Sequence, residues 1–198
     1  MDIEKIGEIV ITGGIAFIMM SIVQRYFSEK NRRRHTRHFD DRGKVYELMN
    51  KALQTTSAKR FLILKTTNGG GKPRIDAHLY ASVLYEDFQK PFKSIKDDYQ
   101  HLPVDSVYIN MLAEISRRGD ILIDIEGMQD GMLKRMYEVE GVYASLVFYL
   151  AESPDAFFYG SIATDKEGAA GFLSKPEQLK IEIIINHLRD TFRRAQHR

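Results

Sequence analysis

Apolar residues recur at three- and four-residue spacing in four segments of the chain, which is the period of amphipathic helices. The segments are 41–57, 104–115, 129–140 and a last one that opens at Ser174. Asp105 is placed to cap the second helix, and Gly141 is placed to end the third. The last helix opens with S-x-x-E, the capping-box pattern, formed by Ser174 and Glu177. We therefore predict four helices with defined ends.

Five other segments are rich in β-branched and aromatic residues or alternate apolar with polar residues, as strands do. They are residues 60–67, 79–87, 120–126, 143–151 and 156–164. Segments rich in turn residues join the first two strands and the last two, and Pro154 lies within the second of them. Strands joined by hairpins form an antiparallel sheet, which packs on helices. The predicted fold class is α+β, with a central antiparallel sheet of about five or six strands flanked by helices.

The turn between the first two strands, TTNGGGKPR at 66–74, has the glycines and lysine of a phosphate-binding loop. Such a loop needs a Ser or Thr directly after the lysine and then a helix. Here Lys72 is followed by Pro73 and then by a strand. Asn68 and the glycines tolerate the positive φ of a tight turn. We predict a hairpin turn that leaves Lys72 and Arg74 exposed.

The most apolar run lies near the N-terminus, where residues 9–24 carry no charge. With its apolar flanks the run extends from Ile3 to Phe27, and a helix of roughly 25 residues is long enough to cross a bilayer. The run is preceded by acidic residues and followed by basic ones. By the positive-inside rule, the N-terminus lies outside and the chain from residue 25 onward lies in the cytoplasm. We predict a transmembrane anchor over 1–27, and the alternative is a buried or oligomer-forming helix in a soluble assembly.

Six basic residues follow within 25–38, against one acid, Glu29. They are Arg25, Lys30, Arg32, Arg33, Arg34 and Arg37. We predict that they contact anionic lipid headgroups and that residues 28–40 form a basic juxtamembrane segment before a domain over 41–198. Nucleic acid is not an expected partner, because no aromatic residues alternate with the arginines and the rest of the chain has no basic face.

Candidate catalytic groups are few. The chain has no cysteine, which excludes disulfides, thiolate nucleophiles and thiolate-bound metals. Asp120, Asp124 and Glu126 share one face of a predicted strand and could hold a cation or act as acid and base. We favour the solvated face of a half-buried strand for these carboxylates. With no G-x-S-x-G or H-E-x-x-H motif in the sequence, we expect no enzyme activity, no metal site and no cofactor.

Three stretches carry a resemblance to a known family: RFLILKTTNGGG (60–71), EVEGV (138–142) and SLVFYLAESPDAFFYGSIA (145–163). In the order of elements around them, residues 41–194 resemble the GAF domain, a relative of PAS sensor domains. The resemblance implies that the first and last helices pack together on one side of the sheet. It also implies a small-molecule pocket on the other side.

Several hallmarks of the GAF family are missing. The Asn-Lys, Phe and Asp-Glu signature of cyclic-nucleotide-binding members is not found with its spacing, so that ligand is not expected. Bilin-binding members attach the chromophore through cysteine, which is absent here. Haem-binding members need an axial histidine, and only His78 begins a strand, where a loop-edge role is the favoured interpretation.

The resemblance directs our choice of pocket residues. We predict that the lining is drawn from Tyr80, Ser82, Leu84, Tyr108, Leu112, Tyr143, Ser145, Phe157 and Tyr159. The contact between the first and last helices is a natural surface for a homo-oligomer, since domains of this family pair through such bundles.

Two functions follow from the sequence. The first is a single-pass membrane protein whose cytoplasmic GAF-like domain senses a small molecule or docks a protein. The alternative is a structural, assembly or membrane-permeabilising component in which the domain is an oligomerisation platform without a ligand. TTNGGGKPR, YASVLYE and VDSVYINML also resemble small membrane-anchored proteins of bacteriophages, which implies a phage or bacterial setting and a location in the bacterial inner membrane.

Overall fold

A computed structural model describes residues 20, 23–29, 40–68, 78–166 and 172–196. The chain forms two units, Met1–Gly43 and Lys44–Arg198. In the first unit, residues 23–29 and 40–43 are helical. Within the described parts of the chain, no helix has the length and apolar character that crossing a bilayer requires.

Several predicted features fall on other parts of the chain. Most of the proposed anchor over 1–27 lies outside the described residues. The same holds for the tip of the glycine turn, residues 69–77, and for five of the basic residues. These five are Lys30, Arg32, Arg33, Arg34 and Arg37.

The second unit contains four helices and six strands in its described residues. The elements are α1 (40–55, of which 44–55 belong to this unit), β1 (Arg60–Thr67), β2 (Tyr80–Phe88), β3 (Leu102–Pro103), α2 (Ser106–Arg118), β4 (Asp120–Asp124), α3 (Met132–Val139), β5 (Ala144–Glu152), β6 (Phe157–Thr164) and α4 (Lys175–Gln196). All four predicted helices and all five predicted strands are present. Only the two-residue β3 was not predicted, because a pair that short carries no pattern.

The strands form one antiparallel sheet in the order β3-β2-β1-β6-β5-β4. The neighbours β1 and β2 form one predicted hairpin, and β5 and β6 form the other. The central pair, β1 and β6, joins the two hairpins over residues far apart in sequence. The predicted α+β class and antiparallel sheet are therefore confirmed.

Local chemistry sets the helix ends as predicted. Asp105 is the N-cap of α2, and its Oδ1 accepts from the Tyr108 amide at 2.9 Å. The carboxylate of Glu177 accepts from the Ser174 amide at 2.8 Å, which is half of a capping box. Gly141 follows α3 with φ of 66°, a conformation that glycine adopts without strain.

Each face of the sheet covers its own apolar cluster. On one face, α1 and α4 pack on β1, β5 and β6, as the resemblance implied. That cluster includes Met49, Phe61, Phe148, Ile162, Ile184 and Leu188. On the other face, α2, α3 and the segment after β2 pack on the same strands. That second cluster includes Leu62, Val83, Tyr108, Ile115, Leu133 and Tyr159.

A bulge in β2 changes which side chains face the second cluster. Ile63 pairs with Tyr85, but the next residue of β1, Leu64, pairs with Val83, so that Leu84 has no partner across the strands. An extra residue reverses the alternation on either side of it. Val83 and Glu86 therefore both lie on the α2 and α3 side of the sheet.

Candidate functional site

A small cavity of about 50 Å³ lies within the second cluster, between the sheet and the helices α2 and α3. Its walls are mostly apolar, from Leu62 and Leu64 of β1, Met111 of α2 and Leu133 and Met136 of α3. Polar groups reach the cavity at two places. One is a group of hydroxyls, and the other is a buried ion pair.

The hydroxyls at the first place belong to residues of β5, β6 and the two covering helices. The Tyr108 and Tyr159 hydroxyls contact each other, and both residues are buried. Ser161 lines the cavity and is hydrogen-bonded to Ser145 at 2.8 Å between the two Oγ atoms. Tyr137 lies beside these serines. Several hydroxyls thus converge in an otherwise apolar wall.

The ion pair is centred on Arg60, the first residue of β1, whose side chain is only 2% exposed. Its Nη1 donates to Glu140 Oε2 at 3.1 Å, and its Nη2 donates to the Lys93 carbonyl at 2.6 Å. The guanidinium lies 4.5 Å from the ring centre of Phe92, a cation–π distance. The Tyr99 hydroxyl donates to the other oxygen of Glu140, Oε1, at 3.0 Å. Arg60, Tyr99 and Glu140 all line the cavity.

Residues 89–101, which we call the strap, cover this charged end of the cavity. The carboxylate of Glu86 holds the strap by accepting hydrogen bonds from two backbone amides. The Ile95 amide donates to Oε1 at 3.0 Å, and the Lys96 amide donates to Oε2 at 3.1 Å. Its other bond is with the Ser94 hydroxyl at 2.6 Å. Arg60 and Glu86 together therefore tie the strap to the sheet, while Tyr99 ties it to Glu140 at the end of α3.

All the tyrosines at the cavity are neutral donors at physiological pH. Burial, with the hydrogen bond to Glu140 and its charge, raises the pKa of Tyr99 to about 12. Burial and the neighbouring Tyr159 raise the pKa of Tyr108 well above its usual value. Burial also raises the pKa values of Tyr137 and Tyr159. A bound molecule would therefore meet neutral hydroxyls at one end and the ion pair of Arg60 and Glu140 at the other.

The structure brings some of the nine predicted pocket residues to this cavity. Tyr108 and Tyr159 line it, and Ser145 supports the lining residue Ser161. Leu112 belongs to the second cluster and Phe157 packs against it, but neither residue lines the cavity. Their role in ligand binding remains a prediction.

The remaining four predicted residues lie elsewhere. Tyr143 is 46% exposed and lines a separate groove on the surface. Because of the phase of β2, Val83 lines the cavity, whereas its neighbours Ser82 and Leu84 do not. Ser82 instead accepts from the His101 amide at 3.0 Å. Tyr80 pairs with Pro103 at the edge of the sheet.

Sequence reasoning missed the charged end of the cavity. Arg60, Glu140 and Tyr99 are separated by up to 80 residues, and no local pattern joins them. One signal was available, because Arg60 directly precedes FLIL, a run that is buried on both faces of the sheet. A charged residue beside such a run needs a partner if it is buried.

The carboxylates of β4 and of Glu126, two residues after its end, point away from this site. Asp120, Asp124 and Glu126 are exposed, while Ile123 and Ile125 are buried in the second cluster. Among the described residues, no group of three acidic or histidine side chains could hold a metal ion. The exposure of Asp120, Asp124 and Glu126 agrees with the predicted solvated face of this strand.

Asp105 links the two helices that cover the cavity. Its Oδ1 caps α2 through Tyr108, and its Oδ2 accepts from the amide of Met132, the first residue of α3, at 2.8 Å. These backbone hydrogen bonds, that of Met132 first, lower the pKa of Asp105. The carboxylate therefore stabilises the fold when it is ionised, and this contribution fades as the pH falls below about 3.9 through the lowered folded pKa.

Asp105→Ala should lower the free energy of unfolding by about 2 kcal/mol at pH 7, because the first turns of both helices lose an acceptor. Asp105→Asn keeps the cap of α2 but places an NH₂ against the Met132 amide. We therefore expect it to lower the free energy of unfolding by about 1 kcal/mol. Urea unfolding at pH 7 and pH 3 measures both effects. Each variant should lose less stability on acidification than the natural chain. An equal loss would contradict the assignment.

Comparisons with known proteins bear on the fold. No protein-family model matches the sequence, and no curated protein is significantly similar to it. Among solved structures, the GAF domain of a two-component sensor histidine kinase from Bacillus halodurans has a TM-score of 0.54 and 12% identity, over 77% of this chain and 93% of that chain.

Two further solved structures are similar. A GAF domain/HD domain protein from Geobacter sulfurreducens has a TM-score of 0.56 and 9% identity, over 80% of this chain and 95% of that chain. The red-light-absorbing state of a red/green cyanobacteriochrome has a TM-score of 0.58 and 12% identity, over 80% of this chain and 97% of that chain. At such low identity these similarities concern the fold alone, and the chain has a GAF-like fold.

Proposed function

We propose that the protein is a sensor whose GAF-like domain binds a small molecule in the cavity beneath α2 and α3. The observation that carries this proposal is the pairing of an apolar cavity with desolvated polar groups at both ends. Polar groups in a dry core are costly unless they are satisfied, and convergent polar groups in an apolar pocket are typical of ligand sites.

A buried polar atom at the cavity supports this proposal further. Arg60 lines the cavity, and its Nε is buried without a hydrogen-bond partner. Arg60 Nε lies 3.9 Å from Glu86 Oε1, too far for a hydrogen bond. A platform that served only for assembly would be expected to have a collapsed core without such atoms, and we therefore favour the sensor over that alternative.

The size of the cavity limits the ligand. Drug-sized ligands occupy sites of roughly 300–1,000 Å³, several times the cavity of about 50 Å³ found here. The ligand is therefore a molecule of a few heavy atoms, or it enters by moving the strap or α3. Large ligands such as a bilin or a cyclic nucleotide do not suit the closed site.

The proposal includes a membrane location, which rests on the sequence. The apolar run over 9–24 and the basic residues that follow it would hold the domain at the cytoplasmic side of a bacterial inner membrane with anionic lipid. A homo-oligomer paired through α1 and α4 would carry the signal between copies. The protein would act without catalysis of its own.

Native mass spectrometry of the full-length protein, purified in mild detergent, tests the sensor proposal. We expect one small molecule retained per chain. Ala163→Val adds two methyl groups to the lining and should abolish retention, because Ala163 is buried at the cavity wall.

The matched control is Ala113→Val, the same change at an exposed position of α2, which should retain the molecule. Equal retention by both variants would place the ligand outside this cavity. A ligand-free oligomer of fixed size would favour the assembly platform instead.

A further inference from the structure

The charged end of the cavity is already arranged as a binding site for a carboxylate. Two donors from different parts of the chain, Arg60 Nη1 and the Tyr99 hydroxyl, each bind a different oxygen of Glu140, at 3.1 and 3.0 Å. Paired donors on both oxygens are how proteins recognise carboxylate groups. In this structure, the carboxylate in the site belongs to the protein itself.

The positive partner of this pair is fixed in place. Arg60 is almost fully buried, donates to the Lys93 carbonyl and lies against the ring of Phe92. A guanidinium cannot lose its charge in a protein, so it needs an anion beside it at all times. Its Nε donor is also buried without a hydrogen bond and is 3.9 Å from Glu86.

The negative partner is held less firmly. The Glu140 side chain is 21% exposed and follows the last residue of α3. Its backbone amide is bonded to the Met136 carbonyl, so the side chain can turn to solvent without unwinding the helix. Glu86, by contrast, is held by three donors of the strap and is only 3% exposed.

We propose, on the basis of the sensor function above, that the ligand is a small carboxylate with an apolar body that displaces Glu140 from Arg60 and Tyr99. The exchange keeps Arg60 neutralised, because one carboxylate replaces another, and it returns Glu140 to water. The apolar body of the ligand lies against Leu133, Met136 and Val142, which line the same cavity. A neutral ligand gains nothing from this exchange.

Displacement of Glu140 also supplies a signal. The Tyr99–Glu140 hydrogen bond is a direct tie between the strap and the end of α3. When the ligand takes both donors, α3 is released from the strap while Glu86 still holds the strap to the sheet. Binding would therefore be read as a change in α3 rather than in the whole domain.

Equilibrium dialysis of the full-length protein in detergent tests the inference, with radiolabelled butanoate and butanamide as probes and a detergent blank for each. The two probes have the same shape and differ in charge. We expect butanoate to bind at least about tenfold more tightly than butanamide, because only the charged probe makes charge-assisted hydrogen bonds.

Three variants test the roles of Glu140 as the internal competitor and of Tyr99 as a donor. Glu140→Gln weakens the internal competitor and should raise the affinity for butanoate about tenfold. Glu138→Gln, the same change at an exposed position of α3, should leave it unchanged. Tyr99→Phe removes one donor and should lower the affinity for butanoate about fivefold or more without changing that for butanamide. If Tyr99→Phe does not fold, the comparison of Glu140→Gln with Glu138→Gln still tests the inference.

Equal binding of the two probes, or no effect of Glu140→Gln, would overturn the carboxylate inference and leave the sensor proposal standing. Binding of neither probe by any variant would also overturn it. The sensor proposal fails separately, if native mass spectrometry finds no retained molecule.

Discussion

Replacement of Arg60 by methionine should lower the free energy of unfolding by about 3–5 kcal/mol. The side chain is buried and neutralises two carboxylates, Glu140 at 3.1 Å and Glu86 at 3.9 Å. Methionine fills much of the volume but leaves the Glu86 carboxylate buried without a cation and the Lys93 carbonyl without its donor. An uncompensated buried charge costs more than the ion pair itself contributes.

Urea unfolding of the full-length protein measures this effect, and a second variant identifies its cause. Arg60→Met combined with Glu86→Gln should recover about 1–2 kcal/mol, since the buried Glu86 charge that has lost its cation is then absent. Glu140→Gln alone should lower the free energy of unfolding by less than Arg60→Met does, because the Glu140 side chain reaches solvent. A change of less than about 1 kcal/mol for Arg60→Met would contradict the view that the ion pair is essential to this end of the domain.

Gly160→Ala should lower the free energy of unfolding by about 3 kcal/mol, through steric overlap. Gly160 of β6 pairs with Phe148 of β5, and the phenylalanine ring lies over the glycine. A Cβ at position 160 would be 2.2 Å from the Phe148 ring, far inside van der Waals contact. The ring also packs edge-on against Phe61, 5.8 Å between centroids, and cannot move aside freely.

Thermal unfolding compares this variant with Gly127→Ala, an exposed glycine where the nearest atom to an added Cβ is 3.9 Å away. Gly127→Ala should change the stability by no more than about 0.5 kcal/mol. Phe148→Leu in the Gly160→Ala background should restore part of the loss by giving the new methyl group space. If the two glycine variants are equally stable, the ring does not lie where the structure has it.

Much of the fold was predictable because its signals are local. The caps of α2 and α4 follow from Asp105 and from the Ser174–Glu177 pair, each within three residues of its partner. The two hairpins follow from turn residues between β-rich segments. The order of these elements then indicated an antiparallel sheet, and the solved structures confirm a GAF-like fold.

The cavity was only partly predictable, because its walls depend on strand phase and on distant contacts. In VLYE, residues 83–86, apolar and polar residues do not alternate, and the bulge at Leu84 lets Val83 and Glu86 face the same side. Val83 therefore lines the cavity, whereas the predicted residues Tyr80, Ser82 and Leu84 do not. The contact between Arg60 and Glu140 spans 80 residues and depends on how the strap and α3 close over the sheet.

The proposed binding of a small molecule in the cavity beneath α2 and α3 can be followed directly at the methionines of the domain. Met111 and Met136 line the cavity, whereas Met49 is buried on the other face of the sheet. We would label the methionine methyl groups of the full-length protein with ¹³C and free the protein of any retained small molecule by exhaustive dialysis. Their spectrum would then be recorded before and after addition of the small-molecule fraction of the host cell. We expect the methyl signals of Met111 and Met136 to shift and the signal of Met49 to remain unchanged. No shift at either cavity methionine, or a shift at Met49 alone, would contradict the proposed binding.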